Sequence, residues 1–136
     1  VDTLKVLAWT ARQKKKEIEV AVIAGYGAQV DAIAKALATE ATALRGLKLS
    51  CATVDSFQGR QVDVCVYSTT RSNSLRQLGF LRELPRLNVA LSRAKSHLII
   101  VGDHLFCRTA AGENPFAPVL QFIERHLDNC EIREVK

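Results

Sequence analysis

Arg93 stands in the run Leu87-Asn88-Val89-Ala90-Leu91-Ser92-Arg93-Ala94-Lys95, whose apolar positions recur at helical spacing. A guanidinium on such a frame suits a phosphoryl group, because its planar fork presents several N–H donors to negative charge. On a helix Arg86 and Arg93 share a face away from Leu87, Leu91 and Ala94. Arg93 then points out while the leucines bury, and Arg86 is either a nucleic-acid contact or solvated. A second segment is Thr53-Val54-Asp55-Ser56-Phe57-Gln58-Gly59-Arg60-Gln61. Gly59 permits close backbone approach to a phosphate or ribose, and Gln58 offers both a donor and an acceptor. Asp55 suits a local turn cap as well as a ligand role, and Phe57 reads as core. Following a strand, Gln58-Gly59-Arg60 is expected at the sheet's carboxyl edge. Thr53, Ser68, Thr69, Arg71 and Asn73 are polar groups able to meet a phosphodiester backbone or simply water.

Other chemistries lack their residues. No G-x-x-x-x-G-K-[ST] phosphate loop occurs, and no adjacent acidic pair follows a strand to hold magnesium. Gly25-Tyr26-Gly27 lacks the third glycine of a dinucleotide fingerprint. There is no G-x-S-x-G elbow, and the three histidines show no triad logic. Cys51, Cys65, Cys107 and Cys130 include no C-x-x-C pair. A zinc site or disulfide framework is therefore not expected, and a reducing compartment is. On its own the chain carries no complete catalytic set.

The elements that position these residues alternate. Leu4, Leu7, Ala8 and Ala11 mark a helix ending at Lys14-Lys15-Lys16, whose cations suit a helix C-terminus. Trp9 and Tyr67 read as packing residues within apolar patterns. Glu19 to Ala24 is a strand buried on both faces. Val30, Ile33, Ala34, Leu37, Ala41 and Leu44 predict a helix stopped at Gly46. Leu49 to Val54 and Val62 to Ser68 or Thr69 are strands, and Arg71 to Leu81 is a polar loop. Pro85 opens a helix to about Ala94, and His97 to Gly102 is another buried strand. Asn114-Pro115 opens a helix carrying Phe116, Val119, Leu120, Ile123 and Leu127. Ile132 to Val135 is a peripheral strand. The class is α/β, a mostly parallel sheet with helices on both faces. Ligands of such sheets bind at the strands' carboxyl ends.

The 136 residues suffice for one domain, residues 1–136, with one sizeable core. The composition, 48% hydrophobic and 24% charged, excludes disorder. No run is long enough to span a bilayer, no signal peptide is visible, and the absence of methionine suits a piece of a longer chain. The formal charge is +5, with six basic residues against one acid between Arg71 and Lys95. That region fits phosphates of a nucleotide or nucleic acid, or a solvated basic face.

Three segments together, Val22 to Gln29, Thr53 to Arg60 and Leu87 to Lys95, resemble motifs IV, V and VI of superfamily 1 helicases in order and spacing. The similarity is to the branch containing the RNA helicases of nonsense-mediated decay and related DNA helicases. It covers the chain from about Glu19 to Asp103. The resemblance implies a RecA-like three-layer sandwich, the second of two motor domains. It implies ATP and Mg2+, held mainly by an upstream RecA-like domain of the same chain, and single-stranded DNA or RNA across the top. Cytoplasm, or nucleus in a eukaryote, follows as the expected location. By motif position, Arg93 becomes the catalytic arginine finger. Tyr26, Gln29, Gln58, Gly59, Arg60 and Gln61 become nucleotide contacts, and Thr53, Arg71, Asn73 and Arg86 nucleic-acid contacts. The chain departs from the family's pattern at Gly27 and Val30, positions at one or other of which relatives carry a phosphate-contacting cation, and at Gln61, where they carry Glu. A helicase-like module that has lost catalysis and retains nucleic-acid or protein binding is the alternative.

Overall fold

The computed structural model describes residues 1–69, 79 and 83–135. Nearly all of the expected polar loop, Arg71 and Asn73 included, lies outside the described residues. Helix α1 (Asp2–Gln13) leads into strand β1 (Ile18–Ala24), then α2 (Gly27–Ala38) and β2 (Leu47–Thr53). A single 3-10 turn, Asp55–Phe57, precedes β3 (Val62–Ser68). Helix α3 (Leu84–Leu91), β4 (Ala94–Val101), α4 (His104–Thr109) and α5 (Phe116–Arg125) follow.

The four strands form one parallel sheet in the order β2-β1-β3-β4. Period-two alternation divides its residues between two apolar layers. Ala21, Ile23, Cys65 and Tyr67 face Phe57, Leu87, Ala90, Phe106 and Phe116. Val20, Val22, Val64 and Val66 face Leu4, Leu37 and Leu44. Because β1 and β3 are covered on both sides, their sequences are near-continuous apolar runs. The fold is the expected RecA-like α/β sandwich. Among the described residues, no helix is long and apolar enough to cross a membrane.

Several local expectations are corrected. Helix α2 ends at Ala38 rather than near Gly46. The Thr39 hydroxyl donates to the Ala36 carbonyl at 2.8 Å, the local bonding by which Thr competes with helix continuation. Separate turns then deliver Leu44 to the core at 3% exposure. Helix α3 stops at Leu91 instead of Ala94, because Ala94 must pair with Val62 in the sheet. Among the described residues β4 pairs with β3 alone, and Lys95 to Leu98 are exposed, so it stands there as an edge strand and not a buried one. Trp9 is 57% exposed on the outer side of α1, whereas Tyr67 is buried. Ile132 to Val135 is irregular, with Val135 94% exposed, and no strand among the described residues pairs with it. Asn114 caps α5 as expected, accepting from the Phe116 amide at 3.1 Å, although the helix starts one residue later than Pro115. Helix α4 was not expected. Its cue is Asp103, whose carboxylate accepts from the Phe106 amide at 2.9 Å.

The core can be probed at two places. A Cβ on Gly102 would stand 1.7 Å from Oγ1 of the buried Thr69. Gly102→Ala should therefore lower the unfolding free energy by about 1–3 kcal/mol, read from the urea midpoint. Adding Thr69→Ala should restore part of the loss, and a neutral single variant would show that this contact is not limiting. Burial also pushes the Cys65 thiol up from 9.0 to about 11 and the Tyr67 phenol up from 10.0 to about 12. Both groups resist ionisation in the folded state. The stability they confer is full below their ordinary values and is lost as pH rises through the raised ones. Urea midpoints should fall between about pH 8 and about pH 11, and less steeply in Tyr67→Phe. A flat profile would contradict this.

Candidate functional site

The sheet's register sets out the candidates. Ala24 of β1 is level with Thr53 of β2 and Ser68 of β3, so these residues define the carboxyl edge. At the other edge Val62 is level with Ala94. Since β1 lies between β2 and β3, residues 54–61 must cross it and return the length of a strand, about 20 Å. Eight residues span at most about 26–29 Å when fully extended. The connection holds a 3-10 turn at Asp55–Phe57 and a second turn over Phe57–Arg60, and no α-helix.

This path corrects the expected position of Gln58-Gly59-Arg60. Instead of staying at the carboxyl edge, the segment descends beside α3 toward the amino edge. Gly59 adopts φ +81°, in the left-handed region that glycine enters freely. The space where its Cβ would lie is open to 4 Å. Phe57 is fully buried, as expected, and the Arg60 guanidinium lies 4.5 Å from its ring centroid. Gln58 and Gln61 are exposed.

Arg93 is two residues beyond the end of α3, in the turn into β4, and not on the helix as expected. It nonetheless joins the two segments. Its Nε donates to the Val89 carbonyl at 2.8 Å, one terminal nitrogen to the Arg60 carbonyl at 3.1 Å, and the other to the Ser92 hydroxyl at 3.0 Å. The Val62 amide donates to the Arg93 carbonyl at 3.0 Å. Among the described residues these partners are carbonyls and a hydroxyl, so they orient the guanidinium while leaving its formal charge without a carboxylate.

Tyr26 and Gln29 stand elsewhere. The Tyr26 carbonyl accepts from the Gln29 and Val30 amides as α2 begins. Gln29 Nε2 donates to the Ser68 hydroxyl at 3.4 Å, at the end of β3. Both residues thus belong to the carboxyl edge, with Thr53. Of the six expected nucleotide contacts, Tyr26 and Gln29 lie at the carboxyl edge, Gln58 lines the cleft beside α3, and Gly59, Arg60 and Gln61 lie nearer the amino edge. Thr53 is tied into a local turn, its hydroxyl donating to Ser56 Oγ at 2.9 Å and accepting from the Ser56 amide at 3.3 Å.

Arg86 meets two carboxylates, Asp55 at 3.2 Å and Glu83 at 3.2 Å. Sequence reading singles out Asp55 and Arg86 separately and misses their pairing. The Glu83–Arg86 spacing of three is the legible part. Exposed pairs of this kind contribute about 0–1 kcal/mol. A cleft of 160 Å³ lined by Val54, Asp55, Gln58, Pro85, Arg86 and Val89 separates the descending segment from α3. Among the described residues no grouping of three His, Cys, Asp or Glu could hold a metal ion.

Gly59 and Gly27 offer a contrast. Neither has an atom within 4 Å of the point where a Cβ would stand, but only Gly59 has positive φ. Gly59→Ala should destabilise by about 1 kcal/mol from backbone strain alone, and Gly27→Ala, opening α2, should stabilise by about 0.4–1 kcal/mol. Urea titration of the two variants checks both signs.

Residues 2–105 match the family model described as AAA domain. The chain is 41% identical over 85 residues to the DNA polymerase alpha-associated DNA helicase A of Schizosaccharomyces pombe, covering 62% of this chain and 12% of that protein. It is 35% identical over 97 residues to the DNA-binding protein SMUBP-2 of Rattus norvegicus, covering 67% and 9%. Against the Regulator of nonsense transcripts 1 homolog of Drosophila melanogaster it is 50% identical over 56 residues, covering 41% and 5%. The chain thus spans about a tenth of these relatives' length or less. With residues 2–105 matched and a parallel RecA-like sheet, the chain belongs to this AAA-domain family, in the superfamily 1 helicase branch that includes the nonsense-mediated-decay helicases.

Proposed function

We propose that this domain is the second motor domain of an ATP-dependent helicase or translocase, with its two sheet edges divided between two ligands. The amino edge, with Arg93, Gly59, Arg60, Gln58 and Gln61, forms one wall of an ATP site completed by an upstream RecA-like domain. The carboxyl edge, with Thr53, Tyr26 and Gln29, takes the backbone of single-stranded DNA or RNA. Arg71 and Asn73 are proposed for the same path on the motif resemblance alone. Arg86 is left out of the strand-contacting set, since two carboxylates already hold it.

The observation that carries this reading is the bonding of Arg93. Carbonyls of Val89 and Arg60 and the Ser92 hydroxyl fix the guanidinium beside the open backbone at Gly59. A preoriented cation needs little reorganisation when charge develops on a phosphoryl oxygen. ATP is the phosphoryl donor; Arg93 would donate to its terminal phosphate, and Gly59 would let the backbone approach closely. Magnesium would be held by acids of the upstream domain. Location follows the relatives only as far as cytoplasm or nucleus.

The test is Arg93→Ala in the full-length protein. Turnover at saturating ATP should fall by ~10³ or more, with ATP affinity changed far less, because the contact strengthens in the transition state. Turnover like the wild type's would remove Arg93 from the mechanism. An inactive wild-type protein that still binds strands would instead favour the binding module, a reading motivated by Gly27, Val30 and Gln61.

A further inference from the structure

We propose that the Asp55–Arg86 ion pair is a positioning link, through which a strand bound at the carboxyl edge sets the geometry of Arg93 at the amino edge. The inference rests on the motor reading above and names a regulation of that same site. Two segments run side by side from one edge to the other: residues 54–61, and α3 with the turn after it. They are tied near both ends. At the carboxyl end Asp55 Oδ2 meets the Arg86 guanidinium at 3.2 Å. At the amino end the Arg60 carbonyl accepts from Arg93 at 3.1 Å. From the first tie, the 160 Å³ cleft lined by Asp55, Arg86, Gln58 and Val89 leaves the segments imperfectly packed.

The descending segment is bonded turn upon turn, the Gln58 amide donating to the Asp55 carbonyl at 3.4 Å and the Arg60 amide to the Phe57 carbonyl at 3.3 Å, so a displacement at Asp55 is carried to Gly59 and Arg60. Asp55 sits between Thr53 and Ser56, whose hydroxyls bond each other at 2.9 Å at the proposed strand surface. A strand engaging the Thr53 and Ser56 hydroxyls shifts the turn that carries Asp55, and through the Asp55–Arg86 pair acts on α3. Asp55 is 68% exposed and Glu83 52%, so the cluster adds little to fold stability and is separable from it. Two carboxylates around one guanidinium also leave a net negative charge, which disfavours a phosphate at Arg86. Asp55 and Arg86 are positioning residues and touch neither ligand.

The experiment measures ATP hydrolysis by the full-length protein with and without single-stranded oligothymidylate or oligouridylate, together with oligonucleotide affinity across salt concentrations. Asp55→Asn should lower the strand-stimulated rate about tenfold, with strand-free rate and oligonucleotide affinity essentially unchanged. Asp55→Glu, which keeps the charge, should retain stimulation. Adding Arg86→Gln to Asp55→Asn should cause no further loss, since both remove one interaction. The proposal is overturned if Asp55→Asn keeps full stimulation. It is equally overturned if Arg86→Gln alone weakens binding and flattens the salt slope, marking Arg86 as a phosphate contact. A parallel fall in strand-free rate would reduce the pair to a fold contact. A wild-type protein with strand-independent hydrolysis rejects the link alone. One with no hydrolysis rejects the motor reading and the link with it.

Discussion

The connection between β2 and β3 constrains everything else in the site. Parallel strands separated by a third ordinarily need a crossover of a dozen residues or more. Here eight residues, 54–61, make the passage. The chain therefore turns at Asp55–Phe57, anchors with the buried Phe57 ring, and turns again over Phe57–Arg60, where the Arg60 amide donates to the Phe57 carbonyl at 3.3 Å. Gly59 at positive φ adjusts the direction of entry into β3. A longer loop would leave these residues as surface decoration. The short one makes them a strut between the two edges of the sheet.

Helix α3 is the strut's counterpart, and the two guanidiniums along it differ in a way that decides their chemistry. Arg86 is held by the carboxylates of Asp55 and Glu83, so its charge is balanced before any ligand arrives. Arg93 is held by carbonyls and a hydroxyl, which supply direction with only partial negative charge. An anion approaching Arg93 meets an oriented cation; one approaching Arg86 must displace a carboxylate of its own sign. The same residue type, seven positions apart, is structural at one end and available at the other.

The architecture was legible because β1 and β3 are apolar on both faces and the helices carry clear stripes. Val20, Val22, Ala21 and Ile23 could only be a doubly covered strand. The errors arose where tertiary pairing or side-chain bonding overrode local pattern. Helical spacing continues through Ala94, but Ala94 is needed opposite Val62, and this moved Arg93 off the helix. The stripe of α2 runs to Leu44, yet Thr39 ends the helix while Leu44 still reaches the core. The apolar residues of β4 suggested burial, and an edge position cannot be read from one strand's composition. Motif order identified Gln58, Gly59 and Arg93 as a group. It also placed Tyr26 and Gln29 with them, because position along a chain does not reveal which sheet edge a loop occupies.

That separation of edges has a mechanical consequence for a motor. A domain that bound nucleotide and nucleic acid at one edge could couple them by direct contact. In the proposed division of ligands they lie about 20 Å apart, the span of the strands, and coupling then requires an element that moves as a unit. The sheet itself is a poor candidate, since β1 and β3 are packed on both faces and close-packed interiors resist small displacements. The strut and α3 lie over one face, joined at their ends, with a cleft between them. Phe57, Leu87 and Ala90 seat both in the core, so a shift along this path is a movement of the two as one body, from the turn after Thr53 to the turn that carries Arg93.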